Sequence, residues 1–519
     1  MLDTEDFTPA QEGFQEYDQT QTGTAGSKAK SKPGGKRSKG TPFSKGLLID
    51  LRNPTETAQK FLSWWSPQLR HYRGQFYEWT GTHYSAISHS DMRAEVYHFL
   101  TYVTRVRTET GLRKPNPNSR HVGQILDALA SGNAHLASKI RAPSWLPGAD
   151  PEVVSKNRPE DILAVRNGLL NLVTGELLPH RPEFFTMNAA DYDFDPLAKA
   201  LRWETFVTEI LPNDIEAQNT LQELMGYTLT ADTSQQKMVA LIGKKRSGKG
   251  TIAYVLGQLI GPENVTTPLM DSLKDRFGLE DLIGKKLAVI PDARFEARAQ
   301  GLVERLLAIS GEDPIGIERK GISERGDARG LRIWMLSNEI PKFTDASGTI
   351  AHRFILIRFT QSFFEREDTA LRGKLAGELP GILNWAIAGL RRLRERGHFI
   401  QPQSSMALIQ LMEDIASPTK ACVRELFEIG PGLSMDWDEC CDTIATWREE
   451  NGHAKMSKKG IERELLAIDP AVRVRRSGPR GHQIWRVDGL ATIEIAERKR
   501  KTAGKKPENV VPLRDEAVV

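Results

Sequence analysis

A chain of 519 residues is long enough for several domains with sizeable cores, and a net charge of +4 on a surface with 27% charged residues is too mild to argue a nucleic-acid partner by itself. Three cysteines, Cys422, Cys440 and Cys441, supply neither a disulfide framework nor a zinc site, since adjacent cysteines pair poorly and no Cys-x-x-Cys accompanies them. Asp3, Glu5 and Asp6 stand where a secretory signal needs positive charge, and no apolar run reaches the roughly twenty residues that cross a bilayer, so a reducing compartment and no membrane partner are expected.

Residues 1–45 are poor in apolar side chains and end in "SKAKSKPGGKRSKG", a composition that cannot offset its ordering entropy. They read as a disordered basic tail, either a loose grip on phosphates or a solubilising linker. Residues 46–195 read as a small α+β domain. Helical spacing in "TAQKFLSWWSPQLRHY" and "DMRAEVYHFLTYVTRV" brackets a strand-turn-strand pattern in "QFYEWTGTHYSAIS", and a second such pattern follows in "AVRNGLLNLVTGELLPH". "DYDFDP" puts Asp191, Asp193 and Asp195 at alternate positions, which on a strand would align three carboxylates for a polymerase-type metal site. No upstream segment with His or Lys completes such a site, so a primase is rejected.

Residues 196–411 hold "MVALIG", "KLAVIPD" and "RIWMLSN", apolar runs separated by helical stretches, which is the pattern of a parallel sheet covered on both faces. The first run leads into Gly243-Lys-Lys-Arg-Ser247-Gly248-Lys249-Gly250-Thr251 and then a helix, which fits G-x-x-x-x-G-K in its proper context. Glycines let backbone N–H groups curl round a phosphate, the helix N-terminus adds partial positive charge, and Lys249 reaches the outer phosphates, so ATP is the expected cofactor. Gly250 stands where a hydroxyl residue is usual, which leaves Thr251 as the Mg2+ ligand. Asp292, at the end of "KLAVIPD", is the candidate metal-holding and water-orienting acid, with Glu296 as the second choice of general base. Asn338, after "RIWMLS", can polarise the attacking water. Arg353 is either a surface arginine or, in a ring, a finger reaching the neighbour's γ-phosphate.

Residues 412–490 close with "SKKGIERELLAI", a basic helix begun by Lys458 and Lys459, and "VRVRRSGPRGHQIWRVDG", two strands carrying Arg473, Arg475, Arg476, Arg480 and His482. A helix before a basic hairpin outlines a winged-helix DNA-binding domain, with protein docking as the alternative. Trp485 reads as core. Residues 491–519 read as a disordered charged tail.

In their order, "GKKRSGKGT", "LAVIPDAR", "GEDPIGIERK", "MLSNEIP" and "AHRF" resemble the motifs of the superfamily 3 helicases. "NGLLNLVTGELLPH…DYDFDP" before them and "SFFEREDTALRGKLAGELPGILNWAIAGL" after them are similar to the phage and plasmid primase-helicase family, which includes the poxvirus primase-helicases. The resemblance spans most of the chain from Arg52 to Gly489. It implies an AAA+-like P-loop core, a homo-hexamer on single-stranded or forked DNA, a separate primase or other replication partner, and the cytoplasm of a bacterial host. It further implies Lys249 and Thr251 on phosphate and magnesium, Asp292 on magnesium and water, Asn338 as sensor and Arg353 acting in trans. Arg319 and Lys320 would belong to a channel hairpin, Lys320 touching the DNA backbone. The chain departs from many relatives in having Pro291 before a lone Asp292, and no stretch before residue 50 is long enough for a primase domain. A nucleotide kinase, suggested by the GKGT form, and an origin-assembling initiator are the competing readings.

Overall fold

The structure is a computed structural model that describes residues 47–109, 111–132, 134–275, 278–291, 300–311, 316–319, 322–326, 330–341, 343, 349–478 and 484–503. The basic tail over residues 1–45 lies outside the described residues.

Aliphatic runs without polar alternation need cover on both faces, and the centre of the molecule provides it. Strands β1 (Met238–Gly243), β2 (Val265–Thr266), β3 (Leu287–Ile290), β4 (Arg332–Ser337) and β5 (Phe354–Phe359) form a parallel sheet in the order β2-β3-β4-β1-β5. Because successive side chains point to opposite faces, each strand feeds two cores. Val239, Leu241, Val289, Trp334 and Ile357 enter one, while Ala240, Ile242, Ile290, Met335 and Leu356 enter the other.

Five helices frame the first core: α1 (Leu201–Ile210), α2 (Ile215–Leu229), α3 (Lys249–Ile260), α4 (Leu371–Ala376) and α5 (Leu379–Arg396). Helices α2 and α5 are clamped by Glu223, which is only 2% exposed. Its carboxylate accepts a hydrogen bond from Arg392 Nε at 2.7 Å and pairs with the Arg396 guanidinium. A buried carboxylate is tolerable only with such partners.

Ahead of this core, helix Pro54–Trp65 starts at Asn53, whose side chain accepts from the Glu56 N–H at 3.2 Å. It packs with helix Ser119–Ser131 around Phe61, Phe99 and Leu126. The expected strand-turn-strand units are antiparallel hairpins, Gln75–Trp79 with Tyr84–Ile87 and Ile162–Val165 with Gly168–Asn171. The "DYDFDP" stretch is irregular chain instead of a strand: Arg166 pairs with Asp191 at 3.1 Å, and the buried Tyr192 donates its hydroxyl to the Leu259 carbonyl at 2.9 Å. Its three carboxylates therefore share no strand face.

The C-terminal part runs α6 (Pro418–Leu426), β6 (Phe427–Asp436), α7 (Trp437–Glu450), α8 (Lys458–Ile468), β7 (Arg473–Ser477), β8 (Ile484–Thr492) and α9 (Ile493–Ala503), its antiparallel sheet ordered β6-β8-β7. Two expectations change here. The stretch 491–503 does not behave as a tail: α9 buries Ala496, lays Ile495 against the core and pairs Arg500 with Glu428. A narrow apolar stripe is enough to seat a helix that looks fully charged in sequence. Trp485 is not core but 46% exposed. Strand β6 pairs with β8 only as far as Arg486, so the hairpin end runs past the third strand, and the Arg476 guanidinium lies 4.9 Å from the Trp485 ring centre. All three cysteines are free and buried, with burial pushing the thiols of Cys422 and Cys441 up to about 12 and about 11. Among the described residues no helix is long and apolar enough to cross a membrane.

Candidate functional site

The glycine-rich loop occupies the carboxyl edge of the sheet. Strand β1 sits between β4 and β5, with Gly243 opposite Phe359, and the chain leaves it through residues 244–248 to begin α3 at Lys249. Gly248 makes that turn with φ +93°. The first turn of α3 thus directs the positive end of the helix dipole at the loop. Ser247 is 1% and Lys249 8% exposed. The Lys249 ammonium donates to the carbonyls of Gly243 at 2.6 Å and Lys244 at 2.8 Å, and to Ser247 Oγ at 3.1 Å. It also donates to Asn338 Oδ1 at 3.3 Å.

That last contact joins residues from opposite ends of the central region. The parallel register sets Ile242 beside Ser337, so the residue after β4 arrives at the loop after β1. The chain after β1 leads across to β2 at one edge, whereas the chain after β4 crosses to β5 on the other side. Such a divergence opens a crevice at the carboxyl ends of a parallel sheet, which is where ligands of open α/β sheets sit. Thr251 lies in the first turn of α3, half-buried, its N–H donating to the Gly248 carbonyl at 3.0 Å; Gly250 beside it is exposed.

Not every expected site residue gathers there. Asp292 and Glu296 lie outside the described residues, beyond the end of β3 at Ile290, which is the neighbour of Met335 in β4. Lys320 also lies outside them. Arg319 ends the first arm of an antiparallel hairpin, Ile317–Arg319 with Ile322–Gly326. Arg353 stands just before β5, six residues before the Phe359 that faces Gly243, or about 20 Å along the sheet at about 3.3 Å per residue. Its guanidinium bonds the carbonyl of Gln236 at 3.4 Å and the Gln236 side chain, away from the loop of its own subunit.

Sequence reasoning missed the segment after β5, which returns to the loop and braces it. Ser362 Oγ donates to the Lys245 carbonyl at 2.9 Å, the Phe363 N–H donates to the Arg246 carbonyl at 2.9 Å, and Arg246 pairs with Glu367 at 3.2 Å. Arg372, in α4, lays its guanidinium 5.1 Å from the Tyr254 ring centre. Its Nη2 lies 3.9 Å from the place a Cβ on Gly250 would take. A cation thus flanks the first turn of α3, more than a hundred residues from the loop in sequence and outside any short motif.

The cations expected on DNA in the C-terminal part are held differently from one another. Asp438 pairs with Lys458 and holds its ammonium above the usual range, and Asp488 does the same for the Arg475 guanidinium. Lys459 is exposed at the start of α8, and Arg476 lies over Trp485.

Two family matches cover the regions just described. Residues 58–212 match the family described as D5 N terminal like, and residues 241–353 match a family of unknown function, DUF5906. The chain is also similar to solved structures of the NrS-1 C terminal region. One apo form shares 12% identity at a TM-score of 0.47, over 84% of this chain and 99% of that one. A second shares 11% at a TM-score of 0.49, over 85% and 100%.

Proposed function

We propose that this chain is a member of the phage primase-helicase family and an ATP-dependent, ring-forming DNA helicase of phage or mobile-element replication that moves along single-stranded DNA, a reading supported by the D5 N terminal like match over residues 58–212. The observation that carries the reading is the meeting of Lys249 and Asn338 at the N-terminus of α3. A buried ammonium held by the loop's own oxygens, beside a helix start, suits the outer phosphates of ATP, and an amide at the same point suits orientation of the attacking water. The donor set fits Mg2+ as well: Thr251 would hold the ion with Asp292, and when bound it neutralises charge developing between the β- and γ-phosphates. Asp292 or Glu296 would take the proton of the attacking water.

Arg353 supports a ring. It lies at the edge of the sheet opposite its own loop, so it serves a nucleotide only across a subunit boundary. The hairpin Ile317–Arg319 with Ile322–Gly326 supports a strand-tracking element, and Lys320 follows its first arm in sequence. At the C-terminus, the order helix, strand, two helices, hairpin supports a winged helix that offers Lys459 and the Arg476–Trp485 pair to DNA.

Strand displacement from a forked DNA duplex tests the reading. ATP-driven displacement is expected from the parent protein and none from Lys249→Ala. DNA-stimulated hydrolysis without displacement would replace the helicase by an initiator or loader, and hydrolysis indifferent to DNA would favour a nucleotide kinase.

A further inference from the structure

Among the described residues, a large cleft lies at the edge of the sheet opposite the nucleotide loop. A cavity of about 940 Å³ opens between the N-terminal α+β region, which contributes Tyr72, Arg73, Tyr77, Arg158, Glu160 and residues 141–143 and 186–188, and the central domain, which contributes residues 230–234, 283–286 and Gly330. The latter stretches precede β1, β3 and β4, so the cleft lies along the amino edge of the sheet, opposite the loop.

Its lining is cationic. Arg73, Arg141, Arg158, Lys285 and Lys286 line it together with Glu160 and Asp232. Glu160 pairs with Arg158, which leaves four cations against one carboxylate. Burial first, and then the neighbouring Arg332 charge, hold the Lys286 ammonium down at about 8. A cation so placed gains from any ligand that brings negative charge. Arg73 occupies a left-handed position, φ +49°, ahead of Gly74 in the tight turn between strands Arg70–Tyr72 and Gln75–Trp79. Asn, Asp or Gly normally fill that position, so an arginine there is unusual. The half-buried Tyr77 lines the same wall and supplies an aromatic face.

We infer that this cleft binds the sugar-phosphate backbone of single-stranded DNA, as a second contact beside the channel hairpin. The inference rests on the helicase reading above. A groove with excess positive charge and an aromatic wall is the arrangement by which proteins take single strands without reading sequence. The volume is that of a ligand pocket and the surplus is several charges, which suits a strand carrying one phosphate per nucleotide.

The test is the fluorescence anisotropy of labelled oligo-dT across a salt series, with the full chain and its Arg73→Asn/Arg141→Gln variant. Asn suits the left-handed turn, so the fold is kept. Weaker binding is expected, with the slope of log affinity against log salt shallower by about 0.7 for each phosphate contact removed. Hydrolysis of ATP in the absence of DNA should stay at the parental rate. Lys285→Gln should shift affinity in the same direction. Parental affinity and slope in both variants would overturn the site alone; a parent that does not bind oligo-dT would overturn it together with the helicase reading. Competition by dTMP as effective as by oligo-dT at equal phosphate concentration would make the cleft a mononucleotide site and overturn the assignment to a strand.

Discussion

Two glycines two residues apart in the nucleotide loop should answer alanine with opposite signs. Gly248 turns the chain with φ +93°, and a Cβ there would come within 2.8 Å of Ile210 Cγ2 and 3.2 Å of the Phe206 ring. Both neighbours are buried in the main core, at 0% and 3% exposure, so neither can swing aside. The backbone alone costs about 1–2 kcal/mol, and forcing a methyl into packed surroundings adds about 1–3 kcal/mol. Together that is about 2–5 kcal/mol against a typical total of about 5–15 kcal/mol. Gly250 has no left-handed φ, lies inside α3, and would bring its Cβ to 3.9 Å from Arg372 Nη2, an ordinary contact. Alanine there should raise stability by at most about 0.5 kcal/mol, since the second position of α3 carries only part of the cost of glycine in a helix. Thermal melting of the two variants beside the parent, with and without ATP, reads both effects. Gly248→Ala should melt well below the parent and lose most of the ATP-dependent rise; Gly250→Ala should melt at or slightly above it. Gly248→Ala melting with the parent and keeping the full ATP-dependent rise would refute the account of this loop as a turn only glycine can make.

Three further outcomes are expected. Arg353→Ala and Lys249→Ala proteins should each be inactive as ATPases, and mixing them should partly restore hydrolysis, because a mixed interface pairs an intact loop with an intact arginine; no restoration at any ratio would count against action in trans. Lys320→Ala should keep basal hydrolysis while losing stimulation by single-stranded DNA, as titration of oligo-dT into the ATPase assay would show. Glu223→Ala should lower the melting temperature, by less than the about 3–5 kcal/mol of a fully buried ion pair, because the Arg392 and Arg396 guanidinium groups left without their shared carboxylate are partly exposed and can turn to water; a melting curve like the parent's would mean that the clamp between α2 and α5 adds nothing.

What the sequence disclosed follows from how far apart the interacting residues are. Strands β1, β3 and β4 and the loop after β1 were legible because their signals are local: a run of four to six apolar residues carries its own burial, and Gly243, Gly248 and Lys249 keep a fixed spacing, whereas the two-residue β2 carries no such signal. Trp485 was misread because its exposure depends on where a different strand, β6, stops pairing, some fifty residues earlier. The helix Ile493–Ala503 was hidden because its seat on β6 needs only a narrow apolar stripe among charges. Arg372 beside Gly250, Glu223 between Arg392 and Arg396, and the cationic cleft share that character: each is assembled across more than a hundred residues of chain, where no short pattern can announce it. The same reasoning separates two kinds of arginine. Arg353 stands at the amino edge of β5 by strand register, which its short motif could not show, and that register directs it away from its own loop. Arg372 comes to its own loop through the packing of α4 near α3, and so can act within one subunit. A ring in which each nucleotide meets one arginine from its own chain and one from the neighbour is what this arrangement of edges makes possible.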